Sequence, residues 1–283
     1  MATLYLVSTP IGNLGDITPR AAGTLESVSR ILAEDTRRTR KLLNHLKLKT
    51  PLVSLHSHNE ASRRETVLAW LASGEDLALV SDAGTPLVSD PGHRIVEAAV
   101  EAGFTVVPIP GASAVLAALA GSGFSGDRFS FLGFLPRKGP ERTELMDRVS
   151  ISPDTVVLFE SPGRTRALLE ALEESCGPHR PVAVARELTK LHEEFVRGRL
   201  AQVREHFELH APRGEIVVVV SGAPEPDTGS VDEGAARALA KALLDEGLAP
   251  SRAAKEVARR LKLPRNLSYE AVQSVSADQE GAG

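Results

Sequence analysis

The chain has 283 residues, 42% of them hydrophobic and 25% charged, with a net charge of −4; this excludes collagen, a coiled-coil rod and wholesale disorder, and suits about two domains plus an appendage. The single cysteine, Cys176, excludes a disulfide framework and a cysteine-rich metal centre. With neither a signal-peptide pattern nor an apolar run near the roughly 20 residues of a membrane span, a soluble, cytoplasmic protein with no membrane partner is expected.

From the N-terminus, residues 4–8, 30–34, 52–57, 77–82 and 105–110 are short, nearly continuous apolar runs that predict strands. Between them, residues 18–27, 36–46, 60–71 and 92–102 space their apolar positions as helices do. This alternation predicts a parallel sheet covered on both faces, with residues 1–120 as a first α/β domain. A small-residue helix at 112–120 and a glycine-rich break at 121–126 lead into a second α/β domain, residues 121–222. Its strands are predicted at 129–135, 155–160, 182–187, 194–199 and 215–221, and its helices at 142–149, 164–174 and 200–210. Residues 195–200 beside 215–220 suggest antiparallel pairing, hence a mixed sheet. Residues 223–234, rich in Pro, Gly, Ser, Asp and Glu, read as a linker. Three short helices, 235–245, 251–260 (capped by Ser251) and 266–275, make a helical unit at 235–277, suited equally to nucleic-acid contact or to packing. Residues 278–283 are expected to be a disordered tail.

Two motifs are decoys. Gly121-Ser122-Gly123-Phe124-Ser125-Gly126 spells a dinucleotide-binding glycine pattern, but a helix precedes it and a strand follows. That order is the reverse of what places a pyrophosphate on a helix N-terminus, so nucleotide binding there is rejected. His56-Ser57-His58-Asn59 sets two imidazoles on one side of a predicted strand end, yet no third ligand has suitable spacing, so no metal is expected. The better reading is a substrate-contact loop, with Asn59 as a helix cap the plain alternative.

Ligands of parallel α/β sheets lie beyond the carboxyl ends of the strands. Four loops fall there: Ser8-Thr9-Pro10-Ile11-Gly12-Asn13, Ala33-Glu34-Asp35-Thr36-Arg37, Ser81-Asp82-Ala83-Gly84-Thr85-Pro86 and Pro108-Ile109-Pro110-Gly111-Ala112-Ser113-Ala114. Their prolines fix the backbone and their small residues let a compact ligand approach main-chain groups. With Leu55-His56-Ser57-His58-Asn59-Glu60, Ala185-Arg186-Glu187-Leu188-Thr189-Lys190 and Gly214-Glu215, these motifs in this order resemble the tetrapyrrole-methylase superfamily. Within it, the chain is most similar to the bacterial 16S ribosomal RNA cytidine 2′-O-ribose methyltransferases. Gly163 stands where that subfamily commonly has His, and the tail only approximates its basic ending.

The resemblance implies S-adenosylmethionine as methyl donor, held between two α/β domains. Its contacts, carried over by motif, are Ile11, Ala83, Gly84, Thr85, Val88, Ser113 and Ala114, with Phe159, Glu160 and Gly214 from the second domain. It also implies a homodimer and, as partner, 16S ribosomal RNA or the small ribosomal subunit. Methyl transfer to a ribose hydroxyl is an in-line displacement that needs alignment and a proton acceptor rather than a metal. The candidate acceptors are Asp35, Glu187 and Lys190, against the alternative that Asp35 only caps a helix. Arg37 and Arg186 would hold phosphate or orient those carboxylates, His56 and Asn59 would touch substrate, and Arg259 and Arg260 would meet RNA phosphates. The other readings are a superfamily sibling that methylates a tetrapyrrole or a protein side chain, and a non-enzymatic nucleic-acid adaptor.

Overall fold

The computed structural model describes residues 2–224, 233–261 and 265–280. The chain divides into two compact units, Met1–Ala223 and Pro224–Gly283.

Unit 1 contains two five-stranded sheets. The first is built from β1 (Thr3–Val7), β2 (Arg30–Ala33), β3 (Leu52–Ser54), β4 (Leu77–Val80) and β5 (Thr105–Ile109), in the order β3-β2-β4-β1-β5. Every pairing in it is parallel. Helices α1 (Pro19–Ser27), α2 (Thr36–Leu46), α3 (Glu60–Ala72) and α4 (His93–Glu101) connect the strands. Two apolar clusters account for the unbroken apolar strands. One joins Val7, Ile31, Ala33 and Ala78 to Leu25, Leu42 and Leu43 of α1 and α2. The other joins Leu4, Leu32, Leu77 and Leu79 to Val67, Leu71 and Ile95 of α3 and α4.

The second sheet comprises β6 (Phe129–Phe134), β7 (Thr155–Glu160), β8 (Pro181–Arg186), β9 (Glu194–Arg199) and β10 (Ile216–Val220), in the order β6-β7-β10-β8-β9. Only β6–β7 is parallel; the other pairs are antiparallel, so the sheet is mixed. Strand β9 does not lie beside β10 as its sequence suggested, because β8 is inserted between them. Helices α6 (Pro140–Ile151), α7 (Thr165–Cys176) and α8 (Leu200–Leu209) contribute Met146, Leu168, Leu169, Leu172 and Phe207 to the cluster on one face. Against the other face lies α5 (Ala114–Ser122), whose Val115, Ala118 and Leu119 pack on Val157, Ala183, Ala185, Val217 and Val219. Ile11, from the first loop, joins this last cluster.

The glycines of the decoy motif have other work. Gly123 ends α5 in the left-handed region, and a side chain at Gly121 would overlap the Phe195 ring. Strand β3 ends at Ser54, so His56 lies past it and the two imidazoles are not alternate strand positions. Unit 2 packs α9 (Glu233–Asp245), α10 (Pro250–Leu261) and α11 (Arg265–Glu280) around Ala240, Leu243, Ala253, Ala254, Val257 and Val272. Helix α10 starts at Pro250, a residue suited to a first helical position, so Ser251 sits in its first turn and is not its cap. Helix α11 continues through 278–280, where a disordered tail was expected, over residues that tolerate helix. The predicted linker falls mostly on residues 225–232 and the end of the tail on 281–283, outside the described residues. No described helix is long and apolar enough to cross a membrane.

Candidate active site

Loops at the carboxyl ends of β1, β4 and β5 meet the ends of β6, β7 and β10 around one cavity of about 390 Å³, within the roughly 300–1,000 Å³ usual for small-molecule sites. The first wall is built from backbone. Thr9 and Gly84 exchange main-chain hydrogen bonds of 2.9 and 3.0 Å, joining the loops after β1 and β4. Gly84 holds a φ of +80°, and a Cβ there would stand 3.3 Å from Ile11 Cγ2. Gly111, in the third loop, passes so close to the first that a Cβ would come within 2.9 Å of Ser8 Cβ. Ser113 caps α5 by accepting from Leu116 N, which turns this loop into the helix.

The opposite wall is made by side chains. Phe159 packs edge-on to Phe131, with ring centroids 4.8 Å apart. Glu160 is buried, accepts from Ser161 N at 2.7 Å and meets Arg164 Nη2 at 3.2 Å. All ten donor-contact candidates line this cavity: Ile11, Ala83, Gly84, Thr85, Val88, Ser113, Ala114, Phe159, Glu160 and Gly214.

The lining also holds Asp90 and Phe134, which sequence reasoning missed. Burial and the nearby Asp82 charge push the Asp90 carboxyl up to about 6, against the pull of its bond from Ser81. A signal for Phe134 was present: Gly133 within a strand marks a bulge. The β6–β7 register shifts between Phe131 and Phe134, and Gly133 has a φ of +63°. Asp90-Pro91-Gly92 reads locally only as a turn, and only tertiary packing brings it to the cavity.

None of the three proton-acceptor candidates is in the lining. Asp35 caps α2, accepting from Arg37 N at 2.8 Å, and pairs with the Arg37 guanidinium at 2.9 Å. These bonds hold its carboxyl down at about 2. The Arg37 side chain is 88% exposed. Glu187 and Lys190 lie beside the cavity, in contact with its rim. Lys190 Nζ donates to Glu187 Oε1 at 2.9 Å and to Glu215 Oε2 at 3.2 Å, and Glu187 Oε1 also accepts from Glu215 N. The bond from Lys190 keeps the Glu187 carboxyl below its ordinary value. Burial pulls the Lys190 ammonium down, but its bonds to the two carboxylates outweigh that and hold it above the usual lysine value. Lys190 is therefore a cation at neutral pH, not a free amine. A side chain at Gly214 would overlap the Glu187 carboxylate, so the network depends on glycine there.

The substrate candidates are dispersed. Arg186 pairs with Glu194. Asn59 does not cap α3 through its side chain; its Oδ1 accepts from His56 N at 2.8 Å and its Nδ2 donates to Ser54 O, which fixes the loop after β3. The His56 and His58 rings stand edge-on at 5.9 Å. Among the described residues no group of three or more His, Cys, Asp or Glu is placed to hold a metal. Arg260 pairs with Glu256 along α10, and the Arg259 side chain lies outside the described residues.

Comparison with known proteins agrees with this architecture. Residues 3–204 match the family model for Tetrapyrrole (Corrin/Porphyrin) Methylases. The chain is 46% identical over 278 residues to the ribosomal RNA small subunit methyltransferase I of Synechocystis sp., covering 98% of this chain and 100% of that one. It is 48% identical over 222 residues to the protein of the same name from Thermotoga maritima, covering 78% of this chain and 99% of that one. Among solved structures, the uroporphyrin-III C-methyl transferase of Thermus thermophilus complexed with S-adenyl homocysteine superposes with a TM-score of 0.55 at 20% identity, over 77% of this chain and 97% of that one. Match, fold and the clustering of its motif residues agree: the chain belongs to the tetrapyrrole methylase family.

Proposed function

We propose that this protein is an S-adenosylmethionine-dependent methyltransferase that methylates the ribose 2′-oxygen of a cytidine in the 16S ribosomal RNA of the small subunit. The observation that carries the reading is convergence: ten residues from distant segments, assigned through the family motifs, border one cavity at strand ends. The relatives named as small-subunit ribosomal RNA methyltransferases over nearly the whole chain support the substrate.

The residues present fit the donor. Apolar walls of Ile11, Val88, Ala114 and Phe159 suit an adenine, and Gly84 leaves its space free for close approach. Asp90 brings a carboxylate to the lining, which suits a cationic ligand. When bound, the donor supplies a methyl group activated by its positively charged sulfur. The chain's part is to align the ribose oxygen with that methyl, exclude water and take up the hydroxyl proton. Glu187 is the acceptor we favour. Its Oε1 is fixed by Lys190 and Glu215 N, while its Oε2 takes no hydrogen bond among the described residues. Lys190 orients that carboxylate. Asp35 acts as a helix cap, and Arg37, Arg186, His56, Asn59, Arg259 and Arg260 contribute to holding RNA, largely through phosphates.

The two sheets act as donor-binding lobes, residues 1–120 and 121–222, with 223–234 as the linker to the helices at 235–277. The family model, matched by residues 3–204, supports a donor site complete without those helices. A cytoplasmic homodimer is the assembly proposed, following the family resemblance. The deciding experiment incubates the protein with labelled donor and either small subunits or naked 16S RNA. Label in the ribose of one cytidine is expected; donor binding without label in either RNA would overturn the reading.

A further inference from the structure

A second cavity, of about 340 Å³, is lined by Arg137, Arg142, Glu160, Arg164, Ala167 and Leu168. Its only acid, Glu160, is also a wall of the donor cavity and is paired with Arg164, so the two spaces lie back to back across one neutralised ion pair. Two arginines are held in place: Arg164 Nη2 donates to Leu135 O at 2.7 Å and Arg142 Nη1 to Pro136 O at 3.0 Å. The third, Arg137, is exposed and has no hydrogen-bond or ion-pair partner among the described residues. Three guanidinium groups against one carboxylate leave a net positive lining in a chain of net negative charge. The first turn of α7 forms the floor, so the positive end of that helix adds to the field.

The loop after β6 ties this cavity to the first. Its Phe134 lines the donor cavity, is 55% exposed and lies 5.5 Å from Phe159, ring to ring. The next two carbonyls hold the arginines, and Arg137 follows. One short stretch of chain thus presents an aromatic face, then a cationic recess, in the order of a base and its neighbouring phosphate. Single-stranded RNA is bound by this pairing of stacking surface and charged groove, and arginine forks match phosphate oxygens in bidentate fashion.

We propose that the recess of Arg137, Arg142 and Arg164 binds a backbone phosphate of the RNA strand while Phe134 stacks the adjoining base at the donor-cavity mouth. The proposal rests on the ribosomal RNA methyltransferase reading, and its test is read by RNA binding so that the two fail separately. The full chain is titrated with a short fluorescein-labelled single-stranded RNA by anisotropy at several salt concentrations, alongside calorimetry with the donor. Arg137→Glu is expected to weaken RNA binding about tenfold or more, and Arg142→Gln by a smaller factor that Arg142→Lys partly restores, with donor affinity unchanged. For each phosphate that a variant no longer neutralises, the salt dependence should become shallower by about 0.7 in log–log slope. Phe134→Leu should weaken binding several-fold without changing that slope, and Phe134→Trp should retain it. RNA affinity and salt slope at the wild-type level in both Arg137→Glu and Arg142→Gln would overturn the phosphate site, as would absence of RNA binding by the wild type. If the wild type binds RNA but transfers no methyl group to small subunits, the enzymatic reading fails while the same titrations still decide the recess.

Discussion

The two walls of the proposed donor cavity are built on different principles. The wall from the parallel sheet is shaped by main chain: small residues, prolines and the Thr9–Gly84 pairing set its form, with the short apolar side chains of Ile11, Ala83, Val88 and Ala114 on it. The wall from the mixed sheet is made of side chains held by their neighbours, with the Phe131–Phe159 pair, the Glu160–Arg164 pair and, at its rim, the Glu187–Lys190–Glu215 network. A backbone wall gives shape that a point mutation cannot soften, only block. A side-chain wall gives charge and aromatic faces that can be tuned one residue at a time. In the proposed reading the donor uses the first and substrate chemistry the second.

The contrast is most severely tested at Gly84. Gly84→Leu combines an unfavourable φ with occupation of ligand space, so donor affinity should fall by more than about 100-fold in a protein that remains folded. Undiminished affinity by calorimetry would show that the backbone wall is not the donor's. At the rim of the other wall, Glu187→Gln keeps shape but removes the proposed acceptor. Donor and RNA affinity should persist while the single-turnover rate falls by about 10²–10⁴-fold; an unchanged rate would assign methyl transfer to positioning alone.

Asp90 is the exception on the backbone side, a carboxylate among main-chain groups. Its raised value of about 6 sets the sign of two effects. The folded chain binds this proton more tightly than the unfolded one, so the associated stability is full below about pH 4 and is lost as pH rises through 6. Asp90→Asn should therefore raise stability at neutral pH, by on the order of 1 kcal/mol after solvent screening, and be read as a higher melting temperature. A cationic donor favours the carboxylate, so donor affinity should drop as pH falls below 6 in the wild type and be flat in Asp90→Asn. The smallest effect is expected at Asp35. Asp35→Ala should lower the melting temperature slightly, as the removal of one helix cap does, with little change in methyl transfer at saturating RNA.

Where the sequence was legible, the reason was local. Continuous apolar strands and proline–glycine loops carry their own meaning, so the parallel sheet and the small-residue wall could be read from the chain alone. Pairing order is not local: nothing in β8, β9 or β10 says that β8 lies in the middle, and the adjacency inferred for β9 and β10 was wrong. The same limit applies to side chains whose role depends on distant partners. Asp35 and Glu187 read alike as loop carboxylates, and only the structure separates a capped, arginine-paired group from one held by Lys190 at the cavity rim. Arg142 and Arg164 stand at the starts of two predicted helices, and no local pattern marks that both are hydrogen-bonded to the loop after β6.

The end of unit 1, just past the buried central strand β10, is closed off by an interior side chain. Arg180, only 6% exposed, donates to Ser150 O and Ser221 O, and Ala223 N bonds to Ser152 O at 2.6 Å. Gly222 runs so near Pro153 that any side chain would overlap it. The last residues of the body are thus sealed by an interior cation. Such a seam ties the exit of β10 to the turn before β7 and to the entry of β8, so the register of this central strand is fixed at its end.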